Sequence, residues 1–251
     1  MGRLRATTVR QEFSIAGEEM SSSLVPQRYQ VRSLNRRASR GDVVRAERDM
    51  GYYVRILTPS TRVAPISVLR GRLREAGLAA RVVCTGGPGT AWTELMLLGA
   101  DAQPSAQITR DRVLPDSLGA EEIAELLDEL DGARPARAAA WLREYLHRVK
   151  VVYCLQVFSS PEDEAGWSAM DAVRTAIWQV VGGISQADAE GFSNEDGDHI
   201  VWQFPDQVSG LCRAAVLREE TWVSFEMDLG NADHRAAFLR GEVPDRVASA
   251  S

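Results

Sequence analysis

The sequence predicts an α+β fold: two βαββ-like halves with an antiparallel-rich sheet or sheets, bridged and covered by amphipathic helices. Three observations predict it. The order strand, helix, strand, turn, strand occurs twice along the chain. The two occurrences have similar extents, 39 residues from Tyr53 to Trp92 and 49 residues from Tyr153 to Trp202. Between them lie two segments whose apolar residues recur at helical spacing, the pattern of helices that cover a sheet. Identity between the halves is too weak to establish a common origin, so the repeat is one of topology.

The first half opens with a strand over 52–58 (YYVRILT), rich in β-branched and aromatic residues and closed by Pro59. A helix over 65–76 follows, with Ile66, Leu69 and Leu73 on one face, Pro65 at its start and Gly77 just past its end. Strands over 80–84 and 92–98 come next, separated by the turn sequence TGGPGT. The first bridging helix, 117–131, has a capping serine, early acids and an apolar face of Ile123, Leu126, Leu127 and Leu130. The second, 135–149, carries Trp141, Leu142, Tyr145, Leu146 and Val149 at helical spacing.

The second half begins with 151–158 (VVYCLQVF), so nearly continuously apolar that it reads as a central strand covered on both faces. A helix over 163–181 presents Trp167, Met170, Val173, Ile177 and Val181 and is stopped by Gly182 and Gly183. Strands are expected over 184–189, 199–204, 211–217 and 221–229, then a short helix over 233–240.

The chain has 251 residues, of which 45% are hydrophobic and 25% charged, the balance of a globular protein. No stretch approaches about 18 uninterrupted apolar residues, which excludes a membrane-spanning helix. Residues 1–49 show no sustained period and lack the apolar core of a secretory signal. They read as a flexible extension, with Met50 as an alternative start just before the first strand. Residues 50–251 are expected to form a single compact unit, with halves 50–115 and 150–230 joined by the two helices over 117–149.

Charge divides at the same place. Residues 1–49 hold ten Arg and six acids, a balance of +4; the remaining 202 hold nineteen basic and twenty-nine acidic residues, a balance of −10. An acidic body repels phosphates, so nucleic acid and anionic lipid are not expected partners. Lys150 is the only lysine, the Arg-rich usage of a GC-rich bacterial genome, and its isolation removes most Schiff-base and P-loop chemistry. Cys84, Cys154 and Cys212 form no CxxC pair and sit in apolar runs, which predicts free, buried thiols and a reducing, cytoplasmic location.

Few motifs carry chemistry, and no cofactor is expected. The loop at 85–90 has neither the lysine of a P-loop nor the following helix of a dinucleotide fingerprint. The polar run 188–199 (DAEGFSNEDGDH) offers Asn194, Asp196 and Asp198 at the spacing that opens an EF-hand. It then places His199 where glycine is needed and Pro205 where the bidentate glutamate belongs, so it reads as a hairpin turn. Within it Asp188 and Glu190, two apart, would share a strand face, as would Glu226 and Asp228 on a later strand. If those strands are neighbours, the four carboxylates, with His199, converge on a divalent cation or a proton-transfer site. Nucleophile elbows and paired metal-binding histidines are absent from the sequence. The six tryptophans fall at positions of core packing rather than on a stacking platform.

The expected function is therefore that of a non-enzymatic cytoplasmic protein binding a macromolecular partner, of regulatory or toxin-neutralising type. An acidic surface suits a basic protein partner through electrostatic steering. The alternatives are a metal-dependent hydrolase using the carboxylates of the C-terminal strands, and a small-ligand sensor with a pocket between the halves.

Overall fold

At the centre of the fold two strands pair along their whole length. β1 (Tyr52–Thr58) meets β5 (Val151–Val157) antiparallel, from Tyr52↔Val157 to Thr58↔Val151. In the computed structural model, which describes residues 52–158 and 163–245, these two strands lie inside one ten-stranded sheet. The extension expected over residues 1–49 lies outside the described residues. The central position explains why 151–158 reads as nearly continuously apolar. Val54, Ile56 and Leu155 point into one core, Leu57 and Val152 into the other.

The sheet grows outward from this pair in two directions. β2 (Arg81–Gly86), β3 (Glu94–Leu98) and β4 (Pro104–Arg112) enter at the outer edge and return to the centre, where β4 pairs with β5. On the other side β6 (Ile184–Ala187) starts beside β1, and β7 (Gly191–Ser193) and β8 (His199–Trp202) step away from it. β9 (Leu211–Arg218) and β10 (Thr221–Asp228) extend that side, giving the order β10-β9-β8-β7-β6-β1-β5-β4-β3-β2. The fold is thus α+β on one continuous, mostly antiparallel sheet. The two meanders follow the same element order and run across it in the same direction, the first toward the central pair and the second away from it. Among neighbours only β8 and β9 are parallel.

Among the described residues five helices cover the sheet. α1 (Ile66–Glu75) and α4 (Glu164–Val181) lie on one face, packing Leu69, Leu73, Met170 and Ile177 against Val54, Ile56, Leu97 and Ile108. α2 (Leu118–Glu129) and α3 (Ala136–Leu146) lie on the other, with Ile123, Leu126 and Leu142 against Leu57, Val152, Ile184 and Phe192. α5 (Ala232–Arg240) seals β9 and β10 through Phe238, which joins Phe204, Val216 and Met227. Three of the five described helix starts are fixed by side chains, the first by the serine that the sequence predicts, while α1 and α3 begin after Pro65 and Pro135 with no side-chain cap. Ser117 accepts from the Ala120 amide at 3.2 Å, Asp163 from Gly166 at 2.9 Å, and Asn231 from Asp233 at 2.9 Å.

Two strands were not expected. β4 alternates in the right period, burying Ala106 and Ile108, but its intervening Gln107, Thr109 and Asp111 give it a loop-like composition. β7 has only three residues, and it divides the predicted single turn over 188–199 into two. Here the chain needs glycine: Gly191 has φ +111, and a Cβ on it would collide with the Val201 carbonyl oxygen of β8. We expect Gly191→Ala to lower stability by about 3 kcal/mol or more in urea unfolding. Gly132→Ala, at φ +74 but with nothing within 4 Å, should cost only about 1 kcal/mol. Equal losses would mean that the β7–β8 contact is not the constraint.

Candidate functional site

The predicted site residues distribute over three places. The first is the turn between β6 and β7. β6 stops at Ala187, and residues 188–190 turn, with Ala189 at φ 58 and the Glu190 amide donating to the Ala187 carbonyl at 3.1 Å. The alternation that would put Asp188 and Glu190 on one face is therefore broken, and the two carboxylates serve opposite faces. Asp188 accepts from Arg55 Nη1 at 2.6 Å and from the Tyr53 amide at 3.2 Å. Glu190 accepts from the Tyr52 hydroxyl at 2.6 Å. Because Tyr52 and Arg55 are three apart in a strand, their side chains point to opposite sides of the sheet.

On the α2 side, Arg55 is the hub. Its Nε donates to Glu122 of α2, and Nη1 also reaches Gln186 Oε1 at 2.7 Å. The side chain is 15% exposed. Burial works against its charge, but the hydrogen bonds from Asp188 and Glu122 outweigh that cost and hold the guanidinium more firmly protonated than usual. Cys154, its cross-strand partner on β5, has its thiol pushed up to about 12, chiefly by burial, so it is no nucleophile at neutral pH. This network is ionic and satisfied, and it pins α2 to the sheet centre. On the α4 side, Tyr52 packs edge-on to Trp167 with centroids 5.4 Å apart. Burial raises the Glu190 carboxyl above its ordinary range, against the opposing pull of Tyr52 and Arg174.

The second place is the β7–β8 turn. Asn194 Oδ1 accepts from the amides of Asp196 at 3.0 Å and Asp198 at 2.9 Å, so the oxygen that would open an EF-hand is used by the backbone. Asp198 is fully buried; it accepts from Ser224 Oγ and lies 2.9 Å from Arg213 Nη2. Burial raises its carboxyl in spite of both partners. His199 packs its ring against Phe204 at 4.8 Å, with Ser193 Oγ at 3.5 Å from Nδ1. Burial pulls it down to about 4, so it is neutral at physiological pH.

Glu226 and Asp228 occupy the third place, β10, at the edge of the sheet. Glu226 is exposed, opposite Arg213 in register. Asp228 accepts from the Gly230 amide at 2.8 Å, and its own amide donates to His234 Nδ1 at 3.1 Å. β7, β8 and β9 separate β6 from β10, so the two acidic pairs are about 19 Å apart across the sheet. The convergence of Asp188, Glu190, Glu226, Asp228 and His199 does not occur. Among the described residues no three His, Cys, Asp or Glu side chains group as cation ligands.

A different surface emerges instead. The core under α2 and α3 draws no residue from β2, β3 or β4. The same face of those strands therefore carries no helix among the described residues. One row crosses it in register: Tyr53, Gln156, Gln107, Met96 and Val83. Val83 is 39% exposed, and Phe158, just past β5, is 44% exposed. α2 lies alongside, contacting β4, and between Arg112 and Arg134 the chain has seven acids and no Lys or Arg. Glu121, Glu125, Asp128 and Glu129 are exposed there. Sequence reasoning missed this row because β4 was unread, and the row exists only through β4. No family model, curated protein or solved structure matches the chain.

His199 yields a pH prediction. Its ordinary value is 6.5 and its folded value about 4, so the unfolded chain takes up this proton first as pH falls. Its contribution to stability is level above about pH 7 and declines between 6.5 and 4, by up to about 3 kcal/mol. Asp198 and Glu190, both raised, act in the opposite sense and cancel in a comparison with His199→Gln. Urea unfolding of both proteins at pH 7, 5.5 and 4 should show the wild type losing more stability than the variant; parallel curves would refute it.

Proposed function

We propose that the protein is a cytoplasmic, non-catalytic binder of a protein partner, of regulatory or toxin-neutralising type, and that it docks this partner on the face of β4, β3 and β2 that no described helix covers, with the adjoining Tyr53 and Gln156 of β1 and β5. The observation that carries the reading is this row, which no helix among the described residues covers. A sheet face inside a protein is normally sealed by a helix or a second sheet. This one presents Val83, Met96 and Phe158 with Tyr53 and the amides of Gln107 and Gln156, a mixture of apolar area and hydrogen-bonding groups typical of protein interfaces. Aromatic and methionine side chains supply contact energy, and the amides fix register against a polar partner.

The acidic flank gives the partner its charge. Glu121, Glu125, Asp128 and Glu129 form an exposed belt on α2, beside the open face. Such a belt steers a basic protein toward the apolar row and repels nucleic acid from it. Rim carboxylates act mainly on association rate and salt dependence, while the row sets the lifetime of the complex.

Two variants divide these contributions. Val83→Glu with Phe158→Ser should weaken the complex at least about tenfold, through faster dissociation. Glu125→Gln with Asp128→Asn and Glu129→Gln should instead slow association and flatten its salt dependence. The partner is isolated from producing cells by affinity capture, located on the surface by cross-linking, and its binding to each variant measured by surface plasmon resonance. Unchanged kinetics in both variants, or cross-links confined to β9, β10 and α5, would overturn the proposal.

A further inference from the structure

A cleft lies at the opposite end of the sheet, between the first turn of α3, the β9–β10 turn and the end of α5. Its volume is about 420 Å³, within the range of pockets that hold small molecules. Three guanidinium side chains line it, and they come from three separate elements: Arg137 from α3, Arg218 from β9 and Arg240 from α5. Leu217 and Pro135 add an apolar wall, and Glu219 is its one acidic lining residue.

The charges around this cleft are not balanced. Arg240 pairs with Glu242 at 2.8 Å. Among the described residues neither Arg137 nor Arg218 forms an ion pair or a side-chain hydrogen bond. Arg137 also stands in the first turn of α3, a turn with no acidic residue and no capping side chain. A cation there adds to the positive end of the helix dipole, an arrangement that an anion relieves. The β9–β10 turn holds the rim in place with Glu219 at φ 46 and Glu220 at φ 66, two left-handed residues in succession.

We propose that this cleft is a binding site for a small molecule carrying an oxyanion, a phosphate monoester or a carboxylate. Arg137 and Arg218 grip the oxyanion, Arg240 supplies a third donor at the rim, and Leu217 and Pro135 receive the ligand's apolar part. Guanidinium forks match the paired oxygens of both groups, and the polar lining orients the ligand while the apolar wall shields it. This site is independent of the partner-binding face, and it is not the pocket between the halves expected from the sequence. It lies among α3, α5 and the last hairpin.

The test uses the full chain and two probes, inorganic phosphate and acetate, each titrated at ionic strength matched with sodium chloride. Backbone amide resonances are followed by NMR. Saturable shifts confined to residues 136–138, 217–220 and 240–242 are expected with at least one probe. The probe that saturates assigns the oxyanion class. Arg137→Gln with Arg218→Gln should weaken that binding about tenfold or more, and Arg74→Gln, an exposed arginine on α1, should leave it unchanged. Both cleft arginines are exposed, and an unchanged spectrum elsewhere verifies that the double variant is folded. Shifts that are linear, spread over the surface or reproduced by sodium chloride overturn the proposal, as does equal affinity in the double variant.

Discussion

The rest of the structure depends on the antiparallel pairing of β1 with β5. Seven consecutive residue pairs fix the register, and each strand alternates its side chains between two cores. A slip of one residue would exchange the contents of those cores. Val54 and Ile56 would then face α2 and α3, and Leu57 would face α1 and α4. Arg55 is the one charged side chain in this apolar centre, and it is tolerated because Glu122, Gln186 and Asp188 satisfy it together. Removing a single member would leave its partner's charge half-buried, so the network specifies the seating of α2 more than it stabilises the fold.

Much of this was legible in the sequence, and the limits have physical causes. Helical period placed α1 to α4, because each buries one stripe against a sheet and shows the rest to solvent. Continuous apolarity placed β5 at the centre, while β1 was legible as a strand but not as a central one. β4 was hidden because no helix among the described residues covers its second face, so half its residues are free to be polar. The acidic pairs failed for a different reason. The inference that Asp188 and Glu190 share a face assumed extended backbone, and the left-handed Ala189 removes that assumption. Convergence with Glu226 and Asp228 assumed strand neighbours, and strand order is set by long-range packing that no local pattern encodes.

Charge placement shows where stability and surface requirements part. Glu121 at the start of α2 favours the helix dipole. Asp128 and Glu129 stand at its end, where each costs about 0.3–1 kcal/mol; the last turn has no basic residue of its own, and Arg143 of α3 donates to the Leu127 carbonyl there at 3.3 Å. α3 shows the inverse, with Arg137 at its positive end. Both helices thus carry an ill-matched charge at the end facing the loop between them. The ion pair from Arg143 to Asp131 ties α3 to that loop at 2.5 Å, but with Asp131 largely exposed it contributes little.

The junction of β8 with β9 has a mechanical consequence. The strands meet in parallel through the single registered pair His199↔Ala214. Beyond that point β9, β10 and α5 share a core built around Phe204, Val216, Met227 and Phe238. Only a few side chains, Ala215 and Trp222 among them, cross to the core beneath α3. The sheet is therefore two cooperative units sewn together at one seam. The last hairpin and its helix are thus the part expected to open first, and the β1–β5 pair the part expected to open last.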